Sequence, residues 1–448
     1  MDTQPELFAQ HYMEAGLVEK AAAYWGNAGH RSTARFAMAE AAAQLQKGLD
    51  QLALLPDTPE RQRQELEFLS NLGAVLVAVK GQAARETGNA YARARKIWEQ
   101  LGSASEFLGV PFAQSRYHAT RGEIDLAQRL DEDFLRLSRQ RKDSVGLIFG
   151  HTSSARNLMF AGRFALSRSH LEAALSLYDP ISHRSLVHQT GFEPHVSAHA
   201  LLGNVLCCLG FPDQALAQSK AAIDESQGLA HPPSLVASLT NGTTVFSLIG
   251  DDEVLSEAAD QLIALTTEHG FPFYRAQGTI CRGWVKVKNG ELTEGISLLR
   301  SGSSAWRSTG AEVWRPYQMA FLARACEIAG QIEEAASLLD DALQIVERTG
   351  ERWFFAELNR HKGELLLRQG DAEAAAGLYR KALSIAREQE AKLWELRAAV
   401  SLARLRRDQG RRAEARDLLA PVYGWFTEGF DTPDLKEAKA LLDELGCS

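Results

Sequence analysis

Along much of the chain, apolar residues return at the spacing of one helical face. Ile332, Ala335, Leu339, Leu343 and Val346 share such a face, and forty residues on so do Ala372, Ala375, Tyr379, Leu383 and Ala386. The punctuation between these stretches has the same period. Gly210, Gly250, Gly290, Gly330, Gly370 and Gly410 are each 40 residues apart. Seven residues before them stand Gly203, Thr243, Gly283, Ala323, Gly363 and Ala403; five residues after them stand Ala215, Leu255, Gly295, Ala335, Ala375 and Ala415. A glycine just beyond a periodic stretch marks a helix end and a turn, so each unit is predicted to be helix, tight turn, helix. Small residues at two places, twelve apart, let the paired helices approach closely. A second loop recurs at Gly270, Gly310 and Gly350, and the aromatics Phe273, Trp314, Trp353 and Trp394 open the helices that follow. Upstream the triplet returns as Ser115, Gly122, Ala127 and as Ala155, Gly162, Ser167. The gap of 48 from Gly162 to Gly210 implies an eight-residue insertion.

Small residue, turn glycine, alanine at these spacings resembles the tetratricopeptide arrangement, lengthened from its usual period. The expected fold is therefore all-α: a tetratricopeptide-like helical-hairpin solenoid, wound as a right-handed superhelix with a repeat of about 40 residues. Residues 1–57 read as irregular N-terminal repeats or a cap. Residues 58–426 read as the array, with an insertion near 179–195, and 427–448 as a C-terminal capping helix. Ala9, Gly16 and Ala21 form one triplet, whereas Arg31 to Leu55 reads as a short, alanine-rich helical stretch without the full pattern. Thr58-Pro59 starts a new helix, and Glu60 to Val79 with Arg85 to Leu101 makes a weaker unit around Gly81. Thr432-Pro433 starts the last helix, whose stripe of Leu435, Ala438, Leu441, Leu442 and Leu445 would cover the final repeat.

Several stretches carry a more specific resemblance: PELFAQHYMEAGLVEKAAAYW, LPDTPERQRQELEF, YDPISHRS, TGERWFFAELNRHKGELLL, WELRAAVSLARL and YGWFTEGFDTPDLKEAKALLDEL. Together they are similar to the C-terminal tetratricopeptide region of large bacterial adenylate or guanylate cyclases and predicted ATPases. In that family a class III cyclase domain and a P-loop signalling ATPase precede the repeats. The resemblance implies a regulatory or scaffolding role beside such modules. This sequence begins where the repeats begin and contains no G-x-x-x-x-G-K-[ST] phosphate cradle, so the expectation is a noncatalytic chain with no cofactor.

Composition narrows the partners. The 448 residues carry 49 basic and 57 acidic side chains, a net charge of -8, which argues against nucleic acid or an anionic membrane surface. The stretch from Arg404 to Arg416 is locally basic, but the acidic segment after Pro421 would offset it by intramolecular pairing. Five cysteines without a Cys-x-x-Cys pair, and no leader-like N-terminus, suit a cytoplasmic protein. Cys207 and Cys208 read as structural. His170, His183, His188, His195 and His199 crowd the insertion. No carboxylate or cysteine stands at suggestive spacing, so packing or groove lining is expected there rather than a metal site.

In a tetratricopeptide superhelix the first helix of each unit lines the concave side. Positions one after the small column are Asn204, Thr244, Trp284, Arg324, Glu364 and Arg404; one turn earlier lie Thr240, Tyr317 and Arg360. An aromatic, a tyrosine and forked guanidiniums suit a protein or peptide partner, with His183 and Arg184 at the rim. Such a partner is expected in signalling linked to a cyclase or ATPase. The alternative is a small-molecule sensor holding its ligand in the same groove.

Overall fold

The computed structural model describes residues 4–103, 107, 109–183, 186–187, 193–229 and 231–446. Among these residues all regular structure is helical and there is no strand. The repeat unit is the predicted one. Helix Arg315–Ile328 turns at Gly330 (φ 78°) into helix Ile332–Thr349, and helix Phe355–Arg368 turns at Gly370 (φ 91°) into helix Ala372–Glu388. Both glycines sit in the left-handed region, where a side chain would be strained.

The small columns are committed to helix contact. Ala335 is 1% exposed, and a Cβ added at Gly283 would lie 2.9 Å from the Gly295 carbonyl oxygen. Of the aromatics of the second loop, Trp353 and Trp394 are buried and Phe273 and Trp314 half-buried. The Trp394 indole N–H donates to the Trp353 carbonyl at 2.9 Å, and the Trp353 indole N–H donates to Glu351 at 2.9 Å.

One element departs from expectation. Arg31 to Leu55 is not one helical stretch: helix Val18–Ala34 ends, and helix Met38–Leu52 begins after a break in which Phe36 takes φ 58°. No glycine marks this turn. The Phe36 ring instead packs near His231 and His269, at 6.2 and 5.7 Å between centroids, which belong to a later part of the coil.

The superhelix is wound tightly enough for successive turns to touch. The N–H groups of Glu312 and Val313 donate to the Thr120 carbonyl at 2.8 and 3.3 Å, and those of Arg352 and Trp353 donate to the Phe160 carbonyl at 2.6 and 3.1 Å. Near the C-terminus Glu428 accepts from the backbone N–H groups of Asp213 and Gln214, each at 3.0 Å. Helix Pro433–Gly446 buries Leu435, Ala438, Leu441 and Leu445 against the last unit. Its acids meet the basic stretch before it: Arg404 pairs with Glu437, and Arg407 with Glu444 at 2.9 Å. Among the described residues no helix is long and apolar enough to cross a membrane.

Candidate functional site

Four first helices, Pro272–Lys288, Arg315–Ile328, Phe355–Arg368 and Lys392–Asp408, stand side by side along the inner wall. Two adjoining cavities open on it, of about 240 and about 260 Å³, and share Arg324, Arg360, His361, Arg397 and Asp434. At one end Trp284 and Phe321 stack nearly parallel, with centroids 4.9 Å apart and planes at 7°. At the other end lie Glu364 and Arg404.

Between them runs a chain of ion pairs. Arg324 donates to the buried Glu327 at 2.6 Å. Arg360 meets Glu357 through two nitrogens, at 2.6 and 3.0 Å, and also bonds Glu364. Arg397 bonds Glu357 at 3.2 Å, both oxygens of Asp434 at 3.0 and 2.9 Å, and the Leu248 carbonyl at 2.7 Å. Burial alone would raise the Glu357 pKa, but the Arg360 and Arg397 guanidiniums overcome it and hold the carboxylate well below its ordinary range. A buried carboxylate is retained here because two cations and their hydrogen bonds compensate its lost hydration.

The predicted wall residues divide into two groups. Trp284, Arg324, Arg360, Glu364 and Arg404 are half-buried and come together around the cavities. Asn204, Thr244 and Tyr317 are buried, against the expectation of an open groove. For Asn204 the reason is the tight winding. The rung bearing Asn204 is overlaid by helix Lys392–Asp408 of the following turn, and Asn204 donates to Asn241 at 2.8 Å. Tyr317 lines the smaller cavity but is enclosed by Trp314, Phe321, Trp353 and Phe354, and its hydroxyl bonds Ser247 two units earlier. Thr240 is half-buried and turns its hydroxyl to the Val236 carbonyl at 2.7 Å. His183 is buried too, its Nδ1 accepting the Asp179 N–H at 2.9 Å, and it lines neither cavity. Arg184 and His188 lie outside the described residues.

Sequence reasoning missed Phe321, Glu357, Arg397 and Asp434. A signal for two of them was present: Tyr317, Glu357 and Arg397 occupy one 40-residue column, and two members of it pair directly. The guanidiniums also differ from the expectation of open forks. The side chains of Arg360 and Arg397 are 13% and 18% exposed and spend their donors inside the wall, while those of Arg324 and Arg404 keep 30% and 44% exposure. Cys207 and Cys208 are buried, and burial pushes the Cys207 thiol up to about 12, so neither suits nucleophilic work.

No family model matches the chain. Over 401 residues, 89% of its length, it is 26% identical to an uncharacterized protein of Rhizobium meliloti (strain 1021), and it spans 39% of that protein. Among solved structures it is similar to a Rap protein complexed with competence and sporulation factor, with a TM-score of 0.57 and 13% identity over 82% of this chain and 98% of that one. It is also similar to the APC/C hetero-tetramer Cut9–Hcn1, with a TM-score of 0.53 and 12% identity over 96% and 76%. A third likeness is to the Rap conjugation gene regulator of plasmid pLS20 in complex with the Phr* peptide, with a TM-score of 0.50 and 12% identity over 88% and 97%. At these identities the likeness is one of fold, and the fold is the tetratricopeptide-like helical solenoid that the 40-residue period implies.

Proposed function

We propose that the chain is a noncatalytic repeat scaffold that receives a peptide or protein segment on its inner wall, in bacterial signalling linked to a cyclase or a P-loop signalling ATPase. The observation that carries this reading is the pair of adjoining cavities, with the aromatic stack of Trp284 and Phe321 at one end and a polar floor from Arg324 to Arg404. The outer surface of the stacked rings suits an apolar side chain of the partner, and the exposed faces of Arg324 and Arg404 suit its carboxylates or backbone carbonyls. The structural neighbour from pLS20 is a complex with a peptide, which supports the same mode of use. The cyclase and ATPase link rests on the sequence resemblance. The unit boundaries and cap read from the sequence belong to the same proposal.

The test begins with a peptide selected from a library against the full chain. Trp284→Ala combined with Arg324→Ala should weaken that peptide at least tenfold, while circular dichroism shows unchanged helicity. Undiminished binding by the double variant, with loss of binding on changing the outer-face residues Arg380 and Glu373, would place the partner on the other side of the coil.

A further inference from the structure

His195 and His199 stand four residues apart on helix Pro194–Leu209, the spacing that puts two side chains on one face. Their hydrogen-bond partners come from the next helix, Pro212–Gly228. Both carboxylate oxygens of Glu225 lie on His195 Nδ1, at 2.8 and 3.1 Å. The Oε1 of Gln218 lies on His199 Nδ1. These oxygens only accept, so each imidazole donates its hydrogen from Nδ1. The two Nε2 atoms are then left facing each other at 3.2 Å.

That separation has a chemical meaning. Two imidazole nitrogens bound at about 2.0–2.1 Å to one tetrahedral ion lie about 3.3–3.4 Å apart. A carboxylate or amide oxygen on the far ring nitrogen is also the outer-shell arrangement that fixes the tautomer and orientation of metal-binding histidines. The rings cross at 83° with centroids 4.4 Å apart, and a modest rotation about the soft ring torsion directs both lone pairs at one point. Tyr178 stacks on His195 at 4.6 Å and steadies it. The side chains of His195 and Glu225 remain 27% and 35% exposed, so an ion can reach them from solvent.

We propose that His195 and His199 bind a late first-row divalent ion of the Zn²⁺, Co²⁺ or Ni²⁺ type through Nε2, with Glu225 and Gln218 as outer partners and the remaining coordination positions open to water or an incoming ligand. The site is separate from the inner-wall cavities and stands whether or not a peptide binds there.

The experiment is a titration of the chelator-treated full chain with Co²⁺, followed by displacement with Zn²⁺. One equivalent of Co²⁺ should bind with new visible absorption. His195→Gln and His199→Gln should each weaken it at least tenfold, Glu225→Gln should weaken it about 10–100-fold, and the surface control His11→Gln should leave it unchanged. A measurement on the unaltered chain guards against misfolded variants: Zn²⁺ should protect His195 and His199 from acylation while His11 stays reactive, as read by peptide mapping. Co²⁺ uptake no greater than in the His195→Gln, His199→Gln double variant, or acylation indifferent to zinc, would overturn the proposal and leave the two rings sharing a proton.

Discussion

Glu351 is 1% exposed and accepts the Trp314 backbone N–H and the Trp353 indole N–H, each at 2.9 Å. Burial is the dominant influence and pushes its pKa up to about 7. Asp131, enclosed beside Asn157, is pushed to about 7 by the same cause. In the unfolded chain such carboxyls titrate near about 4. The folded state therefore holds these protons at higher pH, and the stability they contribute is complete below about pH 4 and lost as pH rises through about 7. Glu351→Gln keeps an acceptor oxygen and removes the charge. Relative to the parent, it should gain stability from about pH 5 to about pH 8, by on the order of 1–3 kcal/mol, in urea unfolding at each pH. A difference that stays flat over that range would mean that Glu351 is ionised in the folded chain. The sequence marks Trp284 and Arg324 because their period shows which way they face. It does not mark Glu351, whose environment is assembled from neighbouring loops.

At the level of the helix pair, the small columns account for how closely the elements pack. Ala335 is wrapped between helix Ile332–Thr349 and its partner Arg315–Ile328, whereas its neighbour Glu334 faces outward and pairs with Arg300 through both oxygens at 2.8 Å. Ala335→Trp should overpack that contact and cost about 1–3 kcal/mol. Glu334→Gln loses only a surface ion pair, whose value is about 0–1 kcal/mol. Comparable melting shifts for the two variants would refute the assignment of Ala335 to the interface. Most hairpin boundaries were legible because a glycine in the left-handed region follows the helix, as at Gly330 and Gly370. The turn at Phe36 was not, because no glycine or proline announces it and the surrounding coil holds the ring in place. The joining of His195 and His199 to Glu225 and Gln218 was hidden for a related reason. The oxygens arrive from the following helix, beyond any local spacing rule.

For the molecule as a whole, the period fixed the architecture but not how tightly it winds. Asn204, Thr244 and Tyr317 were expected on an open wall and are buried: the next turn lies over the helix of Asn204, and neighbouring aromatics enclose Tyr317. Arg397 is a tie in this closure, joining Glu357 and Asp434 to the Leu248 carbonyl of the preceding turn. Arg397→Met leaves Glu357 and Asp434 short of a cation and should cost about 3–5 kcal/mol in urea unfolding, far more than loss of the more exposed Arg404–Glu437 pair. Equal costs would show that the tie contributes no more than a surface pair. The backbone bonds onto the Thr120 and Phe160 carbonyls have a wider consequence. An ordinary solenoid is a line of units, each answerable only to the two beside it, and can fray from an end or lose a rung. Here each rung is also answerable to one a full turn away, so the units form a closed lattice rather than a line. Deleting one repeat would misalign every contact above it, and heat should dissolve the coil in one cooperative step.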